Sequence, residues 1–345
     1  MKRELLKLMD ATGVFEIARR INGRRPLILT YHRFSDDGRE DALPVETFRA
    51  QLEYLTRRYR LVGLSEIARQ LQAGRTPEPG LAAITIDDGY SDAYDLAFPL
   101  LREFDVPATL FVATDFVDGR GWLWTDLTRY LFLASRVETF AAEIDGRFVR
   151  IELSDRQSRL RAASLLNELL KKMAETGRRE TLDRIAAALE TPIPPVPAPE
   201  YSAVDWQEVR QMEAAGIEIG SHTVTHPILT RIDERQLVDE LVRSRRRIED
   251  ELGHPIGLFC YPNGDYDRQV RDQVELAGYT AAVTCDMGLN PEGQDLLALK
   301  RIHTLPDREG FAQDVSGFAD FKRAVRGMRP IRVSENLILG KHTEA

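Results

Sequence analysis

Ala82-Ala83-Ile84-Thr85-Ile86-Asp87-Asp88-Gly89-Tyr90 reads as an apolar strand that ends abruptly in two carboxylates and a glycine. Side chains alternate along a strand, so adjacent aspartates point apart unless a turn redirects one of them, and Gly89 permits a sharp turn. Two like charges brought together are costly unless a cation or a proton relieves them. A metal does this by taking one carboxylate as ligand and leaving the other as a base. The competing reading is a local turn or a helix cap made by Asp87 or Asp88.

Working outward, similar runs recur: Leu27 to His32 (LILTYH), Ala108 to Ala113 (ATLFVA), Ile217 to His222 (IEIGSH), Gly257 to Pro262 (GLFCYP) and Thr280 to Cys285 (TAAVTC). Between them lie helical patterns at Thr47 to Tyr59, near Ala93 to Phe104, and at Glu234 to Glu251. Strands alternating with helices imply a parallel sheet, and the number of units favours a barrel over an open sheet. Functional residues of such barrels gather where strands end. The expected organisation is an N-terminal helical segment at 1–26, an α/β barrel over 27–325 and a tail at 326–345. One region breaks the rhythm, from about 116 to 200, where mostly helical sequence closes on the proline-rich TPIPPVPAPE. It reads as a helical insertion tied back by a stiff linker.

Bulk composition narrows the function classes. With 345 residues, 43% hydrophobic and 30% charged, the chain belongs with soluble globular proteins. A net charge of -8 argues against a general nucleic-acid binder. The basic run Arg243 to Arg247 sits beside Glu240, Glu249, Asp250 and Glu251, as on a solvated mixed-charge helix face. Cys260 and Cys285 are too few for a disulfide scaffold and lack CxxC spacing. No run resembles a signal peptide or a membrane span, so the expected location is cytoplasmic. Residues 4–20 have helical periodicity with basic ends, which suits packing on the core or peripheral membrane contact.

Ser221-His222-Thr223-Val224-Thr225-His226-Pro227 carries two of the six histidines at i and i+4. That spacing puts both imidazoles on one face of a helical turn, an arrangement suited to metal ligation. The run also follows a strand, at the functional rim.

These residues resemble two motifs of the polysaccharide deacetylase family, the NodB-homology domain or carbohydrate esterase family 4. TIDDGY is similar to (T/S)FDDG, and SHTVTH to H(S/T)xxxH. The resemblance runs from about Leu27 to Arg301, the insertion apart, and implies an irregular (β/α) barrel of the NodB-homology type. It implies Asp87 as catalytic base, with Asp88, His222 and His226 as metal ligands. Zinc is the default metal, and such a set also accepts cobalt, manganese or iron. Phe259-Cys260-Tyr261-Pro262-Asn263-Gly264 corresponds to the family's FRPPYG, which assigns the Asn263 backbone N–H to an oxyanion hole. Cys260 stands where the family has an arginine that braces the base, so another cation, Arg301 or Arg33, has to serve. Two histidines compete for the acid: His303 near the C-terminus, and His32, which matches the strand-ending YH of permuted family branches and is favoured.

The implied reaction is removal of an N-acetyl or O-acetyl group from a carbohydrate or polysaccharide precursor. Two alternatives remain, an amide hydrolase acting on a cyclic imide, ureide or formamide, and a non-catalytic glycan-binding relative. Trp122, Trp124 and Trp206 either shape a glycan groove or fasten the insertion.

Overall fold

Strand pairing in this chain follows sequence order. In a computed structural model, residues 2–72 and 76–320 are described, the side chains of residues 2 and 3 excepted. The tail expected at 326–345 lies outside the described residues. Strands β1 (Leu27–Tyr31), β2 (Leu81–Ile86), β3 (Thr109–Val112), β4 (Glu218–Ser221), β5 (Leu258–Cys260), β6 (Ala281–Met287) and β7 (Leu299–His303) pair in that order, all parallel. β7 returns to β1 with Thr30 opposite His303, and β1 pairs with β2 with Thr30 opposite Thr85, so the sheet closes into a barrel. The barrel is irregular. Strand Arg60–Leu61 adds to the start of β2, and the β6–β7 register slips between Val283 and Met287.

Closure makes strand parity decisive. Ile28, Ala83, Phe111, Leu258, Ala281, Val283 and Leu299 form one buried cluster with Leu64, Ile67 and Leu71 of the helix Leu64–Gln72. Leu27, Leu29, Ile84, Ile86 and Ile219 belong to the other cluster, shared with the surrounding helices. Counting on by two from the inward set brings Asp87, Cys260, Cys285, Arg301 and His303 into the interior. The barrel is therefore apolar where its strands begin and polar where they end.

Helices α1 (Lys2–Ala11) and α2 (Val14–Ile21) precede the barrel. They pack Leu6 and Phe15 on Ala312 of a C-terminal helix, Arg308–Val315. Between β3 and β4 the insertion builds its own core from α3 (Trp124–Ala134), α4 (Arg156–Leu170) and α5 (Glu175–Ala188), around Leu131, Phe132, Phe140, Leu166 and Ile185. It is less helical than its sequence suggests. Thr139–Ile144 and Arg147–Glu152 pair as an antiparallel hairpin, and both turn residues, Asp145 and Gly146, are left-handed, as a two-residue hairpin turn requires. Among the described residues no helix is long and apolar enough to cross a membrane.

Candidate active site

Parity sends Asp87 into the barrel mouth, and its backbone N–H donates to the Tyr31 carbonyl at 2.9 Å. Asp88 would then face outward, but it takes a left-handed conformation (φ 75°) and Gly89 follows with φ 87°. This turn brings both carboxylates to one site. Gly89 is needed for space as well, since a Cβ there would lie 3.2 Å from Val112 Cγ1.

The two carboxylates meet different neighbours. Arg301 is fully buried and donates from Nη1 to Asp87 Oδ1 at 2.8 Å and to Thr85 Oγ1 at 3.0 Å. Its Nε donates to the Thr284 carbonyl, and its Nη2 lies 3.3 Å from Cys260 Sγ. The brace that the family places at position 260 thus comes from β7, and the small Cys260 side chain sits against it. Burial alone would raise the Asp87 pKa. The Arg301 guanidinium overrides this and holds the carboxyl well below the usual carboxylate range. Arg33 serves elsewhere, paired with Asp92 at 3.1 Å and Asp41 at 3.7 Å.

The two histidines meet, though not on a helical turn. Residues 222–227 form a loop in which Thr223 (φ 70°) and His226 (φ 58°) are both left-handed. Such a backbone costs on the order of 1–3 kcal/mol at a β-branched residue, and side chains supply the hydrogen bonds that hold it. Thr223 N–H donates to Ser221 Oγ at 3.2 Å, and His226 N–H to Thr223 Oγ1 at 3.0 Å. Glu240, on α6 (Glu234–Leu252), accepts from Val224 N–H at 2.7 Å, from Thr225 N–H at 3.0 Å and from the Thr225 hydroxyl at 2.6 Å. Glu240 is the residue that sequence reasoning missed, because it looks like any other charge on a polar helix. The basic run on the same helix is largely paired, Arg243 with Asp239, Arg245 with Glu249 and Arg247 with Asp118.

The outcome is a compact donor set. His222 and His226 Nε2 atoms approach to 3.1 Å, and each lies 3.4 Å from Asp88 Oδ1. His222 Nδ1–H donates to the Cys260 carbonyl at 2.8 Å, which fixes the ring so that Nε2 is the nitrogen turned toward the other two donors. Burial raises the Asp88 pKa, but the imidazoles outweigh it and hold the carboxyl below the usual range. Three donors on one point, with no permanent cation among them, fit a divalent metal. A second convergent group, Asp87, His222 and Cys260, fits less well. There burial pushes the thiol up to about 11, and Asp87 already has Arg301.

Both candidate acids border Asp87. His32 Nε2 lies 3.7 Å from Asp87 Oδ2, and the ring is partly exposed. His303 is buried, with Nε2 3.4 Å from the Cys285 carbonyl. Burial, then the charge of Arg301, pushes its pKa down to about 3. It is neutral at physiological pH and has no imidazolium proton to give. Asn263 is left-handed (φ 57°) in the turn Pro262–Gly264, and a Cβ on Gly264 would lie 2.3 Å from the Cys285 Cβ. The sequence FCYPNG therefore keeps a tight turn at the barrel mouth.

A family model described as "Polysaccharide deacetylase" matches residues 74–282, more than half of the chain. The chain belongs to the polysaccharide deacetylase family. It is a hydrolase of that type, acting on non-peptide carbon–nitrogen bonds. Among curated proteins it is 21% identical over 286 residues to YxkH of Bacillus subtilis (strain 168), a protein with a polysaccharide deacetylase name. That match covers 83% of this chain and 73% of the relative. Two solved structures share the fold. IcaB from Ammonifex degensii matches with a TM-score of 0.57 at 20% identity, covering 85% of this chain and 97% of that one. Streptococcus pyogenes deacetylase PplD in complex with acetate matches with a TM-score of 0.56 at 17% identity, covering 86% and 97%.

In this polysaccharide deacetylase a cleft of about 570 Å³ separates the insertion from the histidine loop, lined by Trp122, Trp124, Val224, Thr225, Pro227 and Glu240 among others. The tryptophans are engaged within the protein. Trp122 packs on Tyr130 and Tyr201 and donates to the Pro194 carbonyl, Arg178 covers Trp124, and Trp206 donates to Asp118 under Arg247. Trp122 and Trp206 are thereby tied to neighbouring segments, while Trp124 belongs to the core of the insertion. Tyr90, two residues after Asp88, also donates to Asp126 of α3 at 2.6 Å and so ties the aspartate turn to the insertion.

Proposed function

We propose that the chain is a metal-dependent deacetylase that removes an N-acetyl group from a carbohydrate, with Asp88, His222 and His226 holding a divalent cation, zinc by default. The observation that carries this reading is the asymmetry of the aspartates. Asp87 already has a countercharge in Arg301, whereas Asp88 faces two imidazole nitrogens. When bound, the cation supplies polarisation of the acyl oxygen and acidifies water.

The chain's own residues do the rest. Asp87, kept ionised by Arg301, takes the proton of the attacking water. The Asn263 N–H, in its left-handed turn, donates to the oxygen that becomes negative. His32 protonates the leaving amine, a step for which the neutral His303 imidazole is a poor acid. Transfers of this kind contribute about 10²–10⁴-fold each.

The test is hydrolysis, each with and without a chelator, of N-acetylglucosamine oligomers and O-acetylated sugars, followed by acetate release, and of small imides or formamides, followed by loss of the substrate. The proposal expects the N-acetylated oligomers to be the best substrates and the chelator to abolish turnover. Activity that survives chelation sinks the metal, preference for an imide or formamide sinks the substrate class, and glycan binding without turnover sinks catalysis.

A further inference from the structure

The N-terminal helix pair is docked by one side only. Leu6 and Phe15 are buried, yet Leu5 and Leu8 on α1 are 57% and 60% exposed, and Ile17 and Ile21 on α2 are 59% and 77% exposed. The exposed pairs are three and four residues apart, so each helix carries its own apolar stripe beside its buried one. Four large aliphatic side chains in solvent on two adjoining helices are more than scattered surface residues.

Charge says what suits this end of the molecule. Residues 1–25 hold seven lysines and arginines against three acidic residues. Glu4 is paired with Lys7, and Glu16 with Arg19 and Arg20. Residues 321–345 hold six basic residues against two acidic ones. The described chain ends close by, because Phe318 packs on Phe15 at 5.8 Å and the helix Arg308–Val315 lies against α1. Both ends are therefore net +4, on a chain of net charge -8. Like charge disfavours the C-terminal residues as the cover for these stripes, and it disfavours a second copy of the same end. A nucleic acid offers no apolar layer for the four aliphatic side chains. An anionic lipid surface offers both a negative headgroup plane and an apolar boundary beneath it.

We infer that α1 and α2 form a docking face for an anionic membrane, with Leu5, Leu8, Ile17 and Ile21 seated at the acyl boundary. The inference stands apart from the reaction at the barrel mouth.

The experiment is co-sedimentation of the full chain with vesicles of phosphatidylcholine alone, or with about 30% phosphatidylglycerol, at low and high salt. The full chain is expected to bind the anionic vesicles, to ignore the neutral ones and to be released by salt. The variant Leu5→Ser/Leu8→Ser/Ile17→Ser/Ile21→Ser is expected to lose binding about tenfold or more while keeping its deacetylase activity and melting temperature. Indifference of the wild type to anionic vesicles overturns the inference, as does unchanged binding by the variant. A solution dimer that the same substitutions dissociate would also overturn it, by assigning the face to a second copy. If deletion of residues 321–345 abolishes binding that the serine substitutions leave intact, the docking face is not α1 and α2.

Discussion

Asp87 looks into the barrel and meets Arg301, a permanent cation held by a strand and fully buried. Asp88, one residue later, is swung by a left-handed backbone toward the Nε2 atoms of His222 and His226. The first environment is closed and already neutralised. The second is assembled by loops and gathers three electron-pair donors. Where two adjacent carboxylates are pushed into such different surroundings, their roles separate as well. On the proposed reading, the carboxylate with its own countercharge handles the proton and the one without it holds the metal.

The comparison breaks most severely through Arg301. Replacing it with methionine strands the Asp87 charge in the barrel, and we expect a loss of about 3–5 kcal/mol in urea unfolding. The double variant Arg301→Met/Asp87→Asn should recover much of that loss, because the stranded charge is gone. No recovery would mean that the guanidinium acts mainly by packing.

Acidification tests the same side more gently. The unfolded chain protonates the His303 imidazole near its ordinary value of 6.5, and the folded chain does so only near 3. Acid therefore favours unfolding: the stability this group provides is complete above about pH 6.5 and is lost as the pH falls toward 3. By pH 4.5 the wild type should lose about 2–3 kcal/mol more than His303→Asn. Parallel pH profiles for the two proteins would contradict the buried, neutral imidazole.

On the loop side, Glu240→Ala leaves the Val224 and Thr225 amides without their acceptor. We expect a cost of about 1–3 kcal/mol and metal binding weakened about 10–100-fold, with Glu240→Gln recovering part of both. Faster amide exchange at Val224 and Thr225 in metal-free protein is the accompanying sign. Unchanged metal affinity in Glu240→Ala would show that the loop keeps its shape without this carboxylate.

The sequence made much of this comparison readable, and its limits are physical. The inward direction of Asp87 follows from its distance along an apolar strand, and the aspartate and histidine pairs stand out by spacing. The choice between Arg301 and Arg33 as brace did not follow, because it depends on β7 and β2 flanking β1 once the barrel closes. The i, i+4 spacing of His222 and His226 suggested a helical turn, but Ser221, Thr223 and Glu240 supply other partners for those backbone amides, and the loop wins. Glu240 gave no local signal, since its partner segment lies in another element. In the insertion, Asp145-Gly146 between alternating residues is a hairpin signal that the surrounding helical periodicity obscures.

The central claim is that Asp88 holds the metal and Asp87 the proton, and one side-by-side measurement tests it. Zinc is titrated into Asp87→Asn and Asp88→Asn by calorimetry, and acetate release is followed on the same samples. The account predicts that Asp87→Asn binds zinc much as the wild type does but turns over about 10³-fold more slowly, whereas Asp88→Asn loses zinc and activity together. Zinc binding lost in Asp87→Asn and retained in Asp88→Asn would contradict it.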